Sequence, residues 1–159
     1  MTRLILKNKL ITSLILITAV YAVYSLVTYH SRQIKTVTRN IQKAIRNKDI
    51  DGILTNVHYD YLDDYGYRSD DIITLFESVF EKLEDINVII VDKDISINRP
   101  NALVNIKFRV VATVEMGFRG YVLGNLNRPA EIDVHLLLSD RRWYITRVSV
   151  IEQPADSQS

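Results

Sequence analysis

The chain has no cysteine among its 159 residues. That excludes a disulfide framework, a zinc–thiolate centre, thiol catalysis and a lipoprotein anchor, and it fits an oxidising compartment. Acidic residues are missing from the first 48 positions, which hold nine Lys and Arg. The rest of the chain carries eleven basic residues and all nineteen acidic ones. A basic head and an acidic body point to two environments. Glycine and proline are scarce, five and three. There is no phosphate-cradling glycine loop and no GxSxG elbow. His30, His58 and His135 show none of the spacings HxxxH, HxH or HExxH, so neither a metal site nor a cofactor is expected.

What is present begins with LITSLILITAVYAVYSLVTY, residues 10–29, twenty positions without a charge. As a helix this run is about 30 Å long, the thickness of a bilayer's hydrocarbon core. A tail of residues 1–9 with Lys7 and Lys9 precedes it. The competing reading is a signal peptide cut at Ala22 with Val20 before it. The run is longer than a usual signal core and stays apolar past Ala22, which favours a retained anchor. Six Lys and Arg follow the span closely and three precede it, which by charge bias puts the following domain in the cytoplasm. The short basic tail reads instead like a secretion n-region. The expectation is a single-pass bacterial inner-membrane protein with its C-terminal domain outside the cytoplasm.

Residues 30–48 read as a basic amphipathic helix, the first of the domain. Ile34, Val37, Ile41 and Ile45 share one face, and Arg32, Lys35, Arg39, Lys43 and Arg46 form a second stripe. That stripe is a candidate for lipid headgroups. The bland reading is a solvated face of a core-packing helix. Nucleic acid is not expected as a partner, given the acidic body.

Residues 49–152 read as the globular domain and 153–159 as a flexible tail. Asp49 or Asp51 can cap a short helix through Ile53, Leu54 and Val57. DIITLFESVFEKLED, residues 71–85, carries a wide apolar arc opposite Glu77, Glu81 and Glu84. Strand patterns follow. Val104, Ile106, Phe108, Val110, Ala112, Val114 and Met116 alternate with polar residues, and Ile132, Val134, Leu136 and Leu138 do the same. Pro100 marks one turn and Asp140–Arg142 another, and residues 117–129 read as a long loop or irregular hairpin arm. Helices followed by strands argue an α+β fold: an N-terminal transmembrane helix, then three helices on a curved antiparallel sheet of about four strands.

Three helices and then strands ending in DRRWYITRVSV resembles the nuclear-transport-factor-2-like, or cystatin-like, cone. YDYLDDYGYRSDDIITLFESVF is similar to the helix-to-helix passage of its small bacterial members. The likeness covers residues 31–152. It implies a cone that hosts steroid isomerases, dehydratases, polyketide cyclases, transport adaptors and membrane-anchored secretion components, so the fold does not choose among functions. An anchor followed by such a domain is similar in layout to the inner-membrane component of type IV secretion systems.

NVHYDYLDDYGYRSDD, residues 56–71, concentrates four tyrosines, five aspartates and a histidine. A helix–loop–helix calcium site fails here. With Gly66 at the sixth position, Tyr61 and Tyr65 fall at the first and fifth and Ile72 at the twelfth. A looser carboxylate site at Asp60, Asp63 and Asp64 is the remaining cation reading. His58, Asp60, Tyr61 and Tyr65 are the residue types an isomerase or dehydratase pocket needs as base and oxyanion donor. The strand faces that would line such a pocket carry no acid or histidine, so the expectation is a filled apolar interior with capping aspartates at its rim. The main functional reading is therefore a membrane-tethered, non-catalytic interaction module. It would contact a protein partner through Tyr121, Val122, Leu123 and Leu126, or form a homodimer through the sheet face. The alternative is a small-ligand-binding protein or isomerase/dehydratase-type enzyme with a pocket between sheet and helices.

Overall fold

The computed structural model describes residues 17–18, 28–114 and 117–151. The chain divides into two compact units, Met1–Lys35 and Thr36–Ser159. In the first, the described residues are helical. No helix among the described residues is long and apolar enough to cross a membrane. The expected single-pass localisation in an inner membrane is corrected accordingly. The span read at 10–29 lies outside the described residues except at 17, 18, 28 and 29, as do the tails at 1–9 and 153–159 beyond it.

Helix α1 covers residues 28–46, α2 Ile50–Leu54 and α3 Ser69–Lys82. Strands β1 Leu83–Asn98, β2 Asn101–Val114, β3 Phe118–Leu123, β4 Ala130–Ser139 and β5 Arg142–Val150 form one curved antiparallel sheet, making the domain α+β. Local chemistry sets the joints. Asp49 caps α2, its Oδ1 accepting from Gly52 N at 2.9 Å. At α3 the cap is Arg68. Arg68 N donates to Asp71 Oδ2 at 2.8 Å, while Ser69 Oγ turns away to donate to Tyr59 O. Helix α3 stops at Lys82, three residues short of the expectation, because the chain enters β1 at once.

Strand β2 is the hub. One edge pairs with β1 along its length. The other pairs with β4 over Asn101–Phe108 and with β3 over Val110–Val114. The fifth strand, β3, lies where an irregular arm was expected. Its alternation is hard to read because Gly120 interrupts it. Gly124, just after β3, has a φ of +66°, and a Cβ there would stand 2.7 Å from Ala130 N and 3.0 Å from Phe108 O. Only glycine lets the chain turn back so close to β2. Register shifts in β1 near Glu84–Asn87 and Ile90–Asp92, and between β4 and β5 at His135–Leu136, interrupt the ladders, the kind of irregularity that bends a strand.

The concave face divides into two ends. At one, Ala102 pairs with Leu136 and Val104 with Val134, and Trp143 and Ile145 stand beside them on β5, all buried. At the other, Val88, Ile90, Phe108, Val110 and Ile132 are half-buried. Residues 56–62 close the free edge of β5. His58 N donates to Ile145 O at 2.8 Å, Ile145 N to Asn56 O at 2.9 Å, and Leu62 N to Thr146 O at 3.1 Å. A sheet edge that would otherwise offer unpaired groups is thereby occupied.

Candidate functional site

Within the second unit, α1 and α3 lie over the half-buried end of the concave face and leave it unfilled. A cavity of about 420 Å³ is lined by Thr38, Ile41, Gln42 and Ile45 from α1, Phe76 and Val79 from α3, and Val88, Ile90, Ile106, Phe108, Val110 and Ile132 from the sheet. The expected filled interior is corrected by this space. Alternation placed these side chains on the correct face. It could not say how far the helices stand from that face. The polar contributors are already engaged: Gln42 Nε2 donates to Val88 O at 2.7 Å, and Thr38 Oγ1 accepts from Lys93 Nζ at 3.0 Å. No lining side chain is charged. The cavity therefore offers apolar contact and little else.

A second cavity of about 390 Å³ shares Ile41 and Phe76 with the first. Its apolar walls are Ile53, Val57, Ile72, Leu75, Ile145, Val148 and Val150. Its polar end comes from the passage between α2 and α3: Tyr61, Asp63, Tyr65 and Tyr67. The passage is held by one aspartate. Asp63 Oδ1 accepts from Tyr65 N and Tyr67 N, both at 2.9 Å. Gly66 stands at a φ of +86° within the turn. Tyr61 is buried, at 7 % exposure. Burial first, and then the Asp63 carboxylate to which the phenol donates, pushes Tyr61 from 10.0 up to about 12, with a backbone hydrogen bond at Val148 pulling the other way. At neutral pH this phenol is a firm hydrogen-bond donor. The neighbouring Asp64 faces outward to Arg147, whose Nε donates to its Oδ1 at 2.8 Å and whose Nη2 also contacts it. A hydrogen bond from Ser149 first, and then Arg147, holds Asp64 below its ordinary 3.8.

Of the four pocket residues read from the sequence, Tyr61 and Tyr65 line the second cavity, while His58 and Asp60 line neither. The His58 ring is buried against Tyr59 and Tyr144, and its Nδ1 accepts from Asp60 N at 3.2 Å. It is a core histidine that fastens the passage to β5. Asp63 and Tyr67 are cavity residues missed by the sequence reading. Their signal was alternation, since 61, 63, 65 and 67 all face the cavity. Among the described residues no group of three or more His, Asp and Glu could hold a metal ion.

The partner-contact candidates fall into two groups. Val122 and Leu123 form a rim of the first cavity. Tyr121 pairs with Val111 on the convex side, and Leu126 is exposed on the β3–β4 loop, whose carbonyl at 126 accepts from Arg109 Nη2 at 2.7 Å. The basic side chains Arg32, Lys35, Arg39, Lys43 and Arg46 are all exposed on α1, and Arg46 Nη2 donates to Asn87 Oδ1 at 2.9 Å.

No protein-family model and no curated protein matches the chain. Solved structures do. A nuclear-transport-factor-2-like superfamily protein of Salmonella enterica superposes with a TM-score of 0.66 at 10% identity, covering 84% of this chain and 99% of that one. A candidate scytalone dehydratase of Novosphingobium aromaticivorans gives 0.67 at 10% identity, with coverages of 79% and 86%. A protein of unknown function with a cystatin-like fold from Nostoc punctiforme gives 0.57 at 12% identity, with coverages of 79% and 92%. At such identities the likeness is one of fold: three helices on a curved five-stranded sheet, the nuclear-transport-factor-2-like cone.

Proposed function

We propose that this protein binds a small, largely apolar molecule inside its cone. The observation that carries the reading is the cavity of about 420 Å³, walled by aliphatic and aromatic side chains and free of lining charge. Such a volume is within the usual range of small-molecule sites, about 300–1,000 Å³. An apolar wall left half-exposed in a small domain costs stability, and a ligand that covers it returns that stability as affinity. Solved structures of this fold include the candidate scytalone dehydratase and a candidate aromatic ring hydroxylase of the same organism, the second named for an aromatic-ring substrate. This reading is preferred to the interaction module because a cavity stands where a filled interior was expected.

The test is titration of the full-length chain with a neutral apolar dye that fluoresces on burial. Saturable one-to-one binding is expected. Val79→Trp, which projects an indole into the first cavity, is expected to weaken it more than tenfold with the circular dichroism spectrum unchanged. Binding that survives Val79→Trp, or that never saturates, overturns the proposal.

A further inference from the structure

The second cavity differs from the first in chemistry, and that difference points to a ligand class. Three of its lining residues are tyrosines, one is an aspartate, and none is basic. Arg147, the arginine bonded to the same passage, is engaged by Asp64 instead. No Lys or Arg among the described residues forms an ion pair with Asp63. The Asp63 carboxylate is also fixed in advance by the backbone N–H groups of Tyr65 and Tyr67. A guest would not have to order it on binding.

Three guest chemistries can be compared. An anion would meet a carboxylate and no compensating cation. A metal ion needs several oxygen ligands at once, and this cavity offers one carboxylate. An organic cation meets a carboxylate, three aromatic faces or edges, and an apolar wall, the combination that recognises quaternary and tertiary ammonium groups. We propose that the second cavity binds an organic ammonium ion, its cationic head among Tyr61, Tyr65 and Tyr67 against Asp63 and its apolar body on Ile72 and Phe76. Phe76 also borders the first cavity, so a longer guest can extend its tail there. The inference rests on the reading that the cone holds a small molecule, and it names the charge of that molecule.

The test compares two molecules of nearly the same shape, trimethylphenylammonium and tert-butylbenzene, titrated into the full-length chain with isoleucine methyl groups observed by NMR. The ammonium is expected to bind about tenfold more tightly, in line with a partly desolvated cation–π and carboxylate contact. It is expected to shift the methyls of Ile53, Ile72 and Ile145. Asp63→Asn keeps an oxygen for the Tyr65 and Tyr67 N–H groups and is expected to erase the preference. Tyr65, 67 % exposed, can be replaced without touching the core, and Tyr65→Leu is expected to reduce the preference about threefold, the loss of one exposed cation–π contact. Equal affinities for the two molecules, a preference that survives both variants, or shifts confined to Ile90, Ile106 and Ile132 would overturn the inference. If the neutral dye still binds in those cases, the proposed function stands and only the charge assignment falls. Failure of the dye alone sinks the binding reading of the first cavity.

Discussion

The two ends of the concave face are built from the same kind of strand and behave differently. At the closed end Ala102, Val104, Val134, Leu136, Trp143 and Ile145 are buried. At the open end Val88, Ile90, Phe108, Val110 and Ile132 present comparable side chains to empty space. The strands do not distinguish the two ends; the cover does. At the closed end Trp143 fills the volume and residues 56–62 pair along the neighbouring edge. At the open end α1 and α3 stand off from the strands and leave the first cavity. An apolar strand face is therefore necessary for a core and insufficient for one. What decides is whether the opposing element supplies matching volume.

The comparison can be broken most severely at Trp143. This side chain is 2 % exposed, and Trp143→Ala is expected to cost about 3–5 kcal/mol by lost burial and a new void. Urea unfolding monitored by circular dichroism reads this directly, and a loss no larger than that of Val79→Ala at the open end would erase the distinction. Adding volume sharpens it from the other direction. Ala102→Leu overfills the closed end and is expected to cost about 1–3 kcal/mol, whereas Val79→Phe enters vacant space and is expected to change stability by less than about 0.5 kcal/mol or to raise it. The same unfolding curves measure both, and equal penalties would mean the open end is already full.

The smallest effects are ionic and belong to the passage that edges the second cavity. Tyr61 holds its proton more tightly folded than unfolded. Its contribution is complete below pH 10.0 and is lost as the pH rises through about 12. Spectrophotometric titration should show one of the nine tyrosines ionising last, and Tyr61→Phe should flatten the fall in stability over that window. Asp64 has the opposite sign. Its folded value lies below 3.8, so its contribution is present above that pH and is lost as the pH falls through the lowered value. Asp64→Asn should remove that acid-side slope, which a urea series below pH 4 would read, and reduce the alkaline one only slightly, since Asp64 is the smallest of the causes that raise Tyr61.

Much of the fold was legible because it is written in local periods. The arc Ile72, Phe76, Val79, Phe80 marked α3, and Val104 through Val114 marked the inward face of β2. Asp49 announced its cap, and Asp140–Arg141 its turn, where both residues take positive φ. Strand β3 was not legible, since Gly120 and the exposed Phe118, Tyr121 and Leu123 look like loop until β2 offers them a partner. The candidate site was half legible. Composition drew attention to residues 56–71 and to His58, Asp60, Tyr61 and Tyr65, of which His58 and Asp60 serve the core and its edge. The residues that reach a cavity are Tyr61, Asp63, Tyr65 and Tyr67, and they differ from the others by their phase along the chain.

By itself the sequence determined an α+β order of elements, which face of each strand is apolar, and a chain without cysteine, a phosphate-binding glycine loop or the common histidine metal spacings. These follow from spacing and residue type, which act between neighbours in the chain. Only the tertiary structure decided that the cone is hollow, that it holds two cavities of unlike polarity, and that Asp63 rather than Asp60 faces one of them. Volume and facing direction depend on the separation of α1, α3 and the sheet, set by contacts between residues tens of positions apart. No local pattern records that distance.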